Sequence, residues 1–233
     1  MKKVLFYLML MFTISFGMTS CDSCSSQKNS SDQNTETVDT INKNTEMIVE
    51  NLISTDRQAM FNKYGGDYRW FETCIMLNDF LDKENDGSLA EVVNVFQVVI
   101  NRNEGLDTKV YKFQHFADGT CTEDSIHGFW VEDYPMENEA IKVTYKDAYE
   151  KLMQVNLPKP HSRYVTLRKQ VGPKACNPQY IFGNLKQQIY VDAANGNVSD
   201  INPAFGKQTL GYAFTWLENE KHDELNCPLG EWP

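Results

Sequence analysis

Metal-ligand spacing is missing from this sequence. Its four histidines, His115, His127, His161 and His222, form no HxxxH or HExxH pair, the spacings that set two imidazoles on one helical face. No CxxC pair exists among Cys74, Cys121, Cys176 and Cys227, and zinc sites usually carry such close ligand pairs. We therefore expect no metal centre and no cofactor. Basic residues are also few: 22 Lys and Arg stand against 32 Asp and Glu, a net charge of −10. Phosphate binding needs clustered cations, so nucleic acid is not an expected partner. The longest apolar run, from Val4 to about Met18, falls short of the ~20 residues of a membrane-spanning helix. What is present is a globular composition, 41% hydrophobic and 12% aromatic, in a chain long enough for one large domain or two small ones.

The first 20 residues read as an export signal: Lys2 and Lys3, an apolar stretch, then Thr19-Ser20 before Cys21. This resembles the lipobox of Bacteroidetes-type lipoproteins, with Met18 in place of the usual aliphatic residue. The resemblance implies a diacylated Cys21, a lipid anchor in the membrane and a location in the cell envelope, as an outer-membrane lipoprotein facing the periplasm or the surface. The plainer alternative is an ordinary signal peptide cut near Ser20. Residues 21–49 are rich in Ser, Asn, Thr, Gln and Asp. They carry too little apolar surface to offset ordering entropy, and we expect a flexible tether there, with Cys24 inside it.

The remainder divides into a first module, 50–140, and a second, 141–233. In the first, Thr55–Tyr64 suits a short helix stopped by Gly65-Gly66. Trp70, Cys74, Leu77 and Leu81 recur at spacings of four, three and four, which predicts a second helix over 68–83. Asp86-Gly87 turns the chain. Three strands follow: Glu91–Asn101, apolar on both faces and therefore central; Lys109–Phe116; and Ser125–Asp133, with Gly128 a candidate bulge.

In the second module, Thr144 with Asp147 three residues on predicts a capped helix carrying Ala148, Leu152 and Val155, ended by Pro158 and Pro160. Arg163–Val171, Gln179–Phe182 and Gln188–Val191 read as strands, and Asn195-Gly196 as a hairpin turn leading to Val198 and Ile201. The fold class expected is α+β, with two tandem modules of helix, strand, strand, strand. Beyond them, Gln208–Glu220 fits a helix through Leu210, Ala213, Phe214 and Leu217 or a strand through Leu210, Tyr212, Phe214 and Trp216; Gly211 weakens the helix, and we expect a strand that ends near Glu218.

The stretch Val143–Ile201 is similar to a PepSY domain. The carrying residues are Asp147-Ala148 in the helix, Gln179-Tyr-Ile-Phe182, and Tyr190-Val-Asp-Ala193 continuing through Gly196 to Val198. The insertion Gly172–Pro178 and the loop Gly183–Lys186 depart from that pattern. The resemblance implies one helix packed on an antiparallel sheet, an extracytoplasmic setting, and a role in binding or restraining a peptidase. The first module has the same element order without the Asp-x-x-x-Gly hairpin, as a diverged repeat would; the alternative is a single α+β domain whose elements merely recur.

An even number of cysteines in an exported chain points to two disulfides among Cys74, Cys121, Cys176 and Cys227, in one of three connectivities. Module economy favours Cys74–Cys121 and Cys176–Cys227. Cys121 and His127 also offer a nucleophile and a base, at a spacing that carries no specificity. Asp82-Lys-Glu84-Asn-Asp86-Gly87 starts like a calcium loop, but its twelfth position is Val93 rather than Glu. Trp130, Tyr134 and Trp216, beside Phe129, are candidate partner contacts, because exposed aromatics favour protein or sugar surfaces. The sequence thus points to a non-enzymatic envelope protein that binds a protein or peptide, with a small-molecule- or glycan-binding lipoprotein as the alternative.

Overall fold

The computed structural model describes residues 47–208, apart from 103–104, 131–132 and 185. They belong to one compact unit, Asn44–Pro233. Helix α1 (Val49–Tyr64) is followed by strands β1 (Tyr68–Leu77), β2 (Leu89–Arg102), β3 (Gly105–Phe116) and β4 (Cys121–His127). The short β5 (Asp133–Tyr134) precedes α2 (Tyr145–Gln154). Strands β6 (Tyr164–Gln170), β7 (Gln179–Gly183), β8 (Gln188–Asp192) and β9 (Val198–Ser199) follow. All nine strands join one antiparallel sheet in the order β4-β3-β2-β1-β6-β7-β8-β9, with β5 paired to β6 off that path. The class is α+β, dominated by sheet. Because β1 pairs with β6 from Glu72–Arg168 to Met76–Tyr164, the sheet runs unbroken across the boundary expected at residue 141.

The expected helix over 68–83 is instead strand β1. A strand with neighbours on both sides buries both faces, and every residue from Trp70 to Leu77 is buried. Such a run is apolar at nearly every position, so a helical spacing can be picked out of it by coincidence. Phe71, Thr73 and Ile75, aromatic and β-branched, are the residues a strand favours. The expected helix at Thr55 begins earlier, at Val49, and ends at Gly65 with φ of 65°. Strand β2 is central as expected, between β1 and β3. The strand expected at Ser125–Asp133 starts and stops earlier, at Cys121 and His127. In the second half the helix and three strands fall where the pattern puts them. The Thr144 hydroxyl accepts from the Asp147 amide at 3.1 Å, as its spacing predicts. Gly196, at φ 76°, closes the turn after β8 by donating its amide to the Asp192 carbonyl at 2.7 Å.

Both helices pack on one face of the sheet. Val49, Ile53 and Met60 of α1 and Ala148 and Leu152 of α2 join Ile75, Leu77, Phe96, Val165, Leu167, Phe182 and Val191 in the main core. Strand alternation turns Cys74, Met76, Val93, Val95, Val110 and Tyr164 to the other face, where they form a second cluster with Trp130 against it. Strand β5 fits where β1 and β6 diverge: Met136 donates its amide to the Trp70 carbonyl at 2.8 Å, and Tyr134 pairs with Lys169. Beside it, Arg168 Nε donates to Asp133 Oδ1 at 2.6 Å, and a second guanidinium nitrogen lies 3.6 Å from Glu72 Oε2.

Candidate functional site

A cavity of about 640 Å³ opens where the first turns of both helices meet the β1–β2 loop. Met47 to Glu50 form one wall, Thr144, Tyr145, Lys146 and Tyr149 a second, and Asp86 to Leu89 with Asn78 the floor and rim. Local chemistry builds each wall. Asn85 Oδ1 accepts from the Gly87 amide at 2.9 Å, and Asp86 Oδ1 from the Ser88 amide at 3.0 Å. Hydrogen bonds from Ser88 hold the Asp86 carboxyl below the usual carboxylate range. Gly87 sits at φ 74°, and a Cβ there would meet the Tyr149 ring at 2.9 Å, so the turn requires glycine.

Helix α2 grips this loop through two phenols one helical turn apart. The Tyr145 hydroxyl donates to the Gly87 carbonyl at 3.1 Å, and the Tyr149 hydroxyl bonds both oxygens of Asn85. Burial pushes the Tyr145 phenol well above its ordinary value and Tyr149 upward as well. Glu50 of α1 reaches across to accept from the Tyr145 amide at 2.7 Å. A carboxylate is thereby set at the positive end of α2. The result is a rigid cleft with aromatic walls and a polar rim of Asn78, Asp86, Ser88 and Lys146. Among its described lining residues there is no histidine or cysteine, so it can bind but holds none of the usual thiol or imidazole nucleophiles and bases. Glu50, Tyr145 and Tyr149 were not singled out from the sequence as site residues. The one signal was the Thr144 cap, which fixes Tyr145 and Tyr149 at the first turn and the next.

The residues singled out from the sequence are dispersed. Cys74 lies in β1 and Cys121 opens β4, with β2 and β3 between them. Three strand spacings of ~4.8 Å separate the two by ~14 Å. A disulfide needs Cα atoms within about 7 Å, so the expected Cys74–Cys121 bridge does not form. The Cys74 thiol donates to Glu72 Oε1 at 2.6 Å. Cys176 is a half-buried free thiol, its pKa raised chiefly by burial. Cys21 and Cys227 lie outside the described residues.

Cys121 faces His115 across β3–β4 rather than His127. His127 sits at the far end of β4, exposed and bonded to Asp107. The Cys121 sulfur is 4.0 Å from His115 Nε2, the same nitrogen that meets Asp56 Oδ2 at 2.8 Å. A nitrogen held by a carboxylate is poorly placed to take a thiol proton, so this contact does not make a nucleophile–base pair. The Asp82–Gly87 stretch spends its Asn85 and Asp86 oxygens on its own backbone, and among the described residues no three His, Cys, Asp or Glu side chains are grouped to hold a metal ion.

Trp130 is half-buried rather than exposed. Its indole donates to Asp133 Oδ2 at 2.9 Å while its ring covers the second cluster. Tyr134 is exposed beneath Lys169, and Phe129, 71% exposed, is the most open large apolar side chain nearby. Trp216 lies outside the described residues. Among the described residues no helix is long and apolar enough to cross a membrane. No protein-family model, curated protein or solved structure matches the chain.

Proposed function

We propose that this chain is a lipid-anchored binding module of the cell envelope, PepSY-like in its second half, that takes a peptide segment of a protein partner in the cleft between α1, α2 and the β1–β2 loop. The observation that carries the reading is that cleft: preformed, walled by Tyr145 and Tyr149, and tied to the N-terminus of α2 by Glu50. Restraint of a peptidase is the form of binding that the PepSY resemblance implies. The anchor would be diacylated Cys21, with residues 22–46 as the tether, because Met47 and Val49, expected in the tether, pack in the core instead. A tandem origin for the two halves draws support from spacing. Val49 and Tyr145 open the helices, Tyr68 and Tyr164 open the first strand after each, and Glu72 pairs with Arg168, all at the same separation. The Glu72–Arg168 pair thus sits where a local two-fold would exchange the two halves.

The test compares the full chain with Ser88→Trp, which fills the cleft from its exposed rim. Both are used as bait in an envelope extract, and both are screened by thermal shift with small molecules and sugars. The reading expects a stoichiometric protein partner that the Trp variant loses while its melting temperature holds. A partner retained by Ser88→Trp would remove the cleft from the proposal. No partner, but a sugar or small-molecule shift, would move the assignment to a ligand-binding lipoprotein.

A further inference from the structure

The loop between β1 and β2 is acidic. It carries Asp79, Asp82, Glu84 and Asp86 against one lysine, Lys83. Lys83 is spent on Asp79 at 3.2 Å, and Asp82 is bonded to His161 Nδ1 at 2.9 Å. Asp86 is the loop carboxylate that lines the cleft, where it is exposed, and hydrogen bonds from Ser88 favour its ionised form. Glu50 adds a second carboxylate to the lining, and Lys146 is the one cation among the described lining residues.

The N-terminal ends of α1 and α2 also border the cleft, and bare helix dipoles there would favour an anion. Each first turn, however, carries its own carboxylate, Glu50 in α1 and Asp147 in α2. Glu50 in addition accepts from the Tyr145 amide at 2.7 Å, so it neutralises the end of α2 as well. The buried phenols register the resulting field. Burial raises Tyr145, Tyr149 and Tyr180, and carboxylates raise them further: Asp86 acts on the first two, Glu50 and Asp147 on Tyr180. The cleft is therefore negative, and a positive group is what it attracts.

The rest of the lining says what kind of positive group. Among the described residues no three His, Cys, Asp or Glu side chains are grouped to hold a metal ion. Ile48, 47% exposed, lines the same cavity with Leu89 and Ala117 and gives it a hydrocarbon side. Hydrocarbon leading to a carboxylate suits a long side chain that is apolar along its stem and charged at its tip. Resting on the peptide-binding reading of this cleft, we propose that its occupant is a lysine or arginine side chain of the partner segment, its stem laid along Ile48 and Leu89 and its cation set at Asp86.

The test selects binders to the full chain from a random-sequence peptide library and measures the enriched peptides by fluorescence anisotropy against the chain, Asp86→Asn, Lys146→Glu and Ser88→Trp. Asn keeps an acceptor for the Ser88 amide, and Glu suits the first turn of a helix, so both charge variants should keep their melting temperature. The enriched peptides should share a lysine or arginine and be lost to Ser88→Trp. Asp86→Asn should weaken them about tenfold, the loss of one hydrogen bond to a charged group. Lys146→Glu should tighten them several-fold, a gain that a merely structural role for Asp86 would not produce. Peptides that share no basic residue, yet bind the chain and are lost to Ser88→Trp, would overturn the basic occupant and leave the cleft as a peptide site. So would affinity that is unchanged in Asp86→Asn or lowered in Lys146→Glu. Peptides retained by Ser88→Trp, or no enrichment at all, would remove the cleft reading and this inference with it.

Discussion

Over β1 and β6 to β8 the two faces of the sheet are both buried, but they are built from different residues. The helix side is mostly aliphatic and aromatic: Ile75, Leu77, Phe96, Leu167 and Phe182 meet the stripes of α1 and α2, and Phe96 packs edge-on to Phe113 at 5.8 Å. Its polar island is small and mutually bonded. Asp56 Oδ2 accepts from Asn94 at 2.7 Å, and Asn94 Oδ1 accepts from Thr73 at 2.6 Å, directly beneath α1. The opposite side carries charge. Arg168, 1% exposed, stands between Asp133 and Glu72, and the Cys74 thiol adds a bond to Glu72. The difference teaches that the cover selects the face. Helices arrive with satisfied backbones and demand hydrocarbon. Irregular and extended segments such as 133–136 demand polar side chains that complete their hydrogen bonding.

The comparison is broken most severely at Arg168. Arg168→Met leaves two buried carboxylates without their cation, and we expect a loss of about 3–5 kcal/mol by urea denaturation. Replacing the set together, Arg168→Met with Glu72→Leu and Asp133→Leu, should recover most of that loss, because well-packed apolar side chains substitute for buried ion pairs. A triple variant no better than the single one would mean that the charges are needed for the fold itself.

On the helix side, Tyr145 and Tyr180 donate to the carbonyls of Gly87 and Val143, and burial raises both phenols above their ordinary value. The unfolded pKa is about 10. The folded chain therefore holds these protons more tightly, and their contribution is complete below pH ~10 and falls as pH rises past it. An ultraviolet titration should find at least two tyrosines, Tyr145 and Tyr180 among them, that ionise only as the chain unfolds at alkaline pH. Ionisation of all tyrosines near pH 10 with the fold intact would contradict it. The smallest effect belongs to Thr144→Ala, which removes the cap of α2 and should cost about 1 kcal/mol. The same change should loosen the cleft, so partner affinity is the second reading to take.

Periodicity was legible wherever one face is wet or where a cap or turn has a dedicated residue. The α2 segment, with Thr144, Asp147 and the Ala148–Leu152 stripe, was readable for that reason, as was the Asn195-Gly196 turn. It failed at Tyr68–Leu77, because a strand buried on both sides erases the alternation that distinguishes strand from helix. The favoured Cys74–Cys121 pairing failed on topology. Pairing Cys74 with Cys121 assumes that cysteines of one half are neighbours, and two intervening strands keep them apart. The cleft was invisible because its walls come from residues 47–50, 78–89 and 144–149, which only folding brings together.

By itself the sequence determined the α+β class, the absence of metal-ligand spacing, the excess of acidic over basic residues, and the local turns and caps, since each follows from composition or from residues within a few positions of one another. The tertiary structure alone decided that β1 and β6 join the halves into one sheet, that Arg168 is buried between two acids, and that Glu50 meets the first turn of α2. Those are contacts between residues far apart in the chain, fixed by which surfaces exclude water together, and no local pattern encodes them.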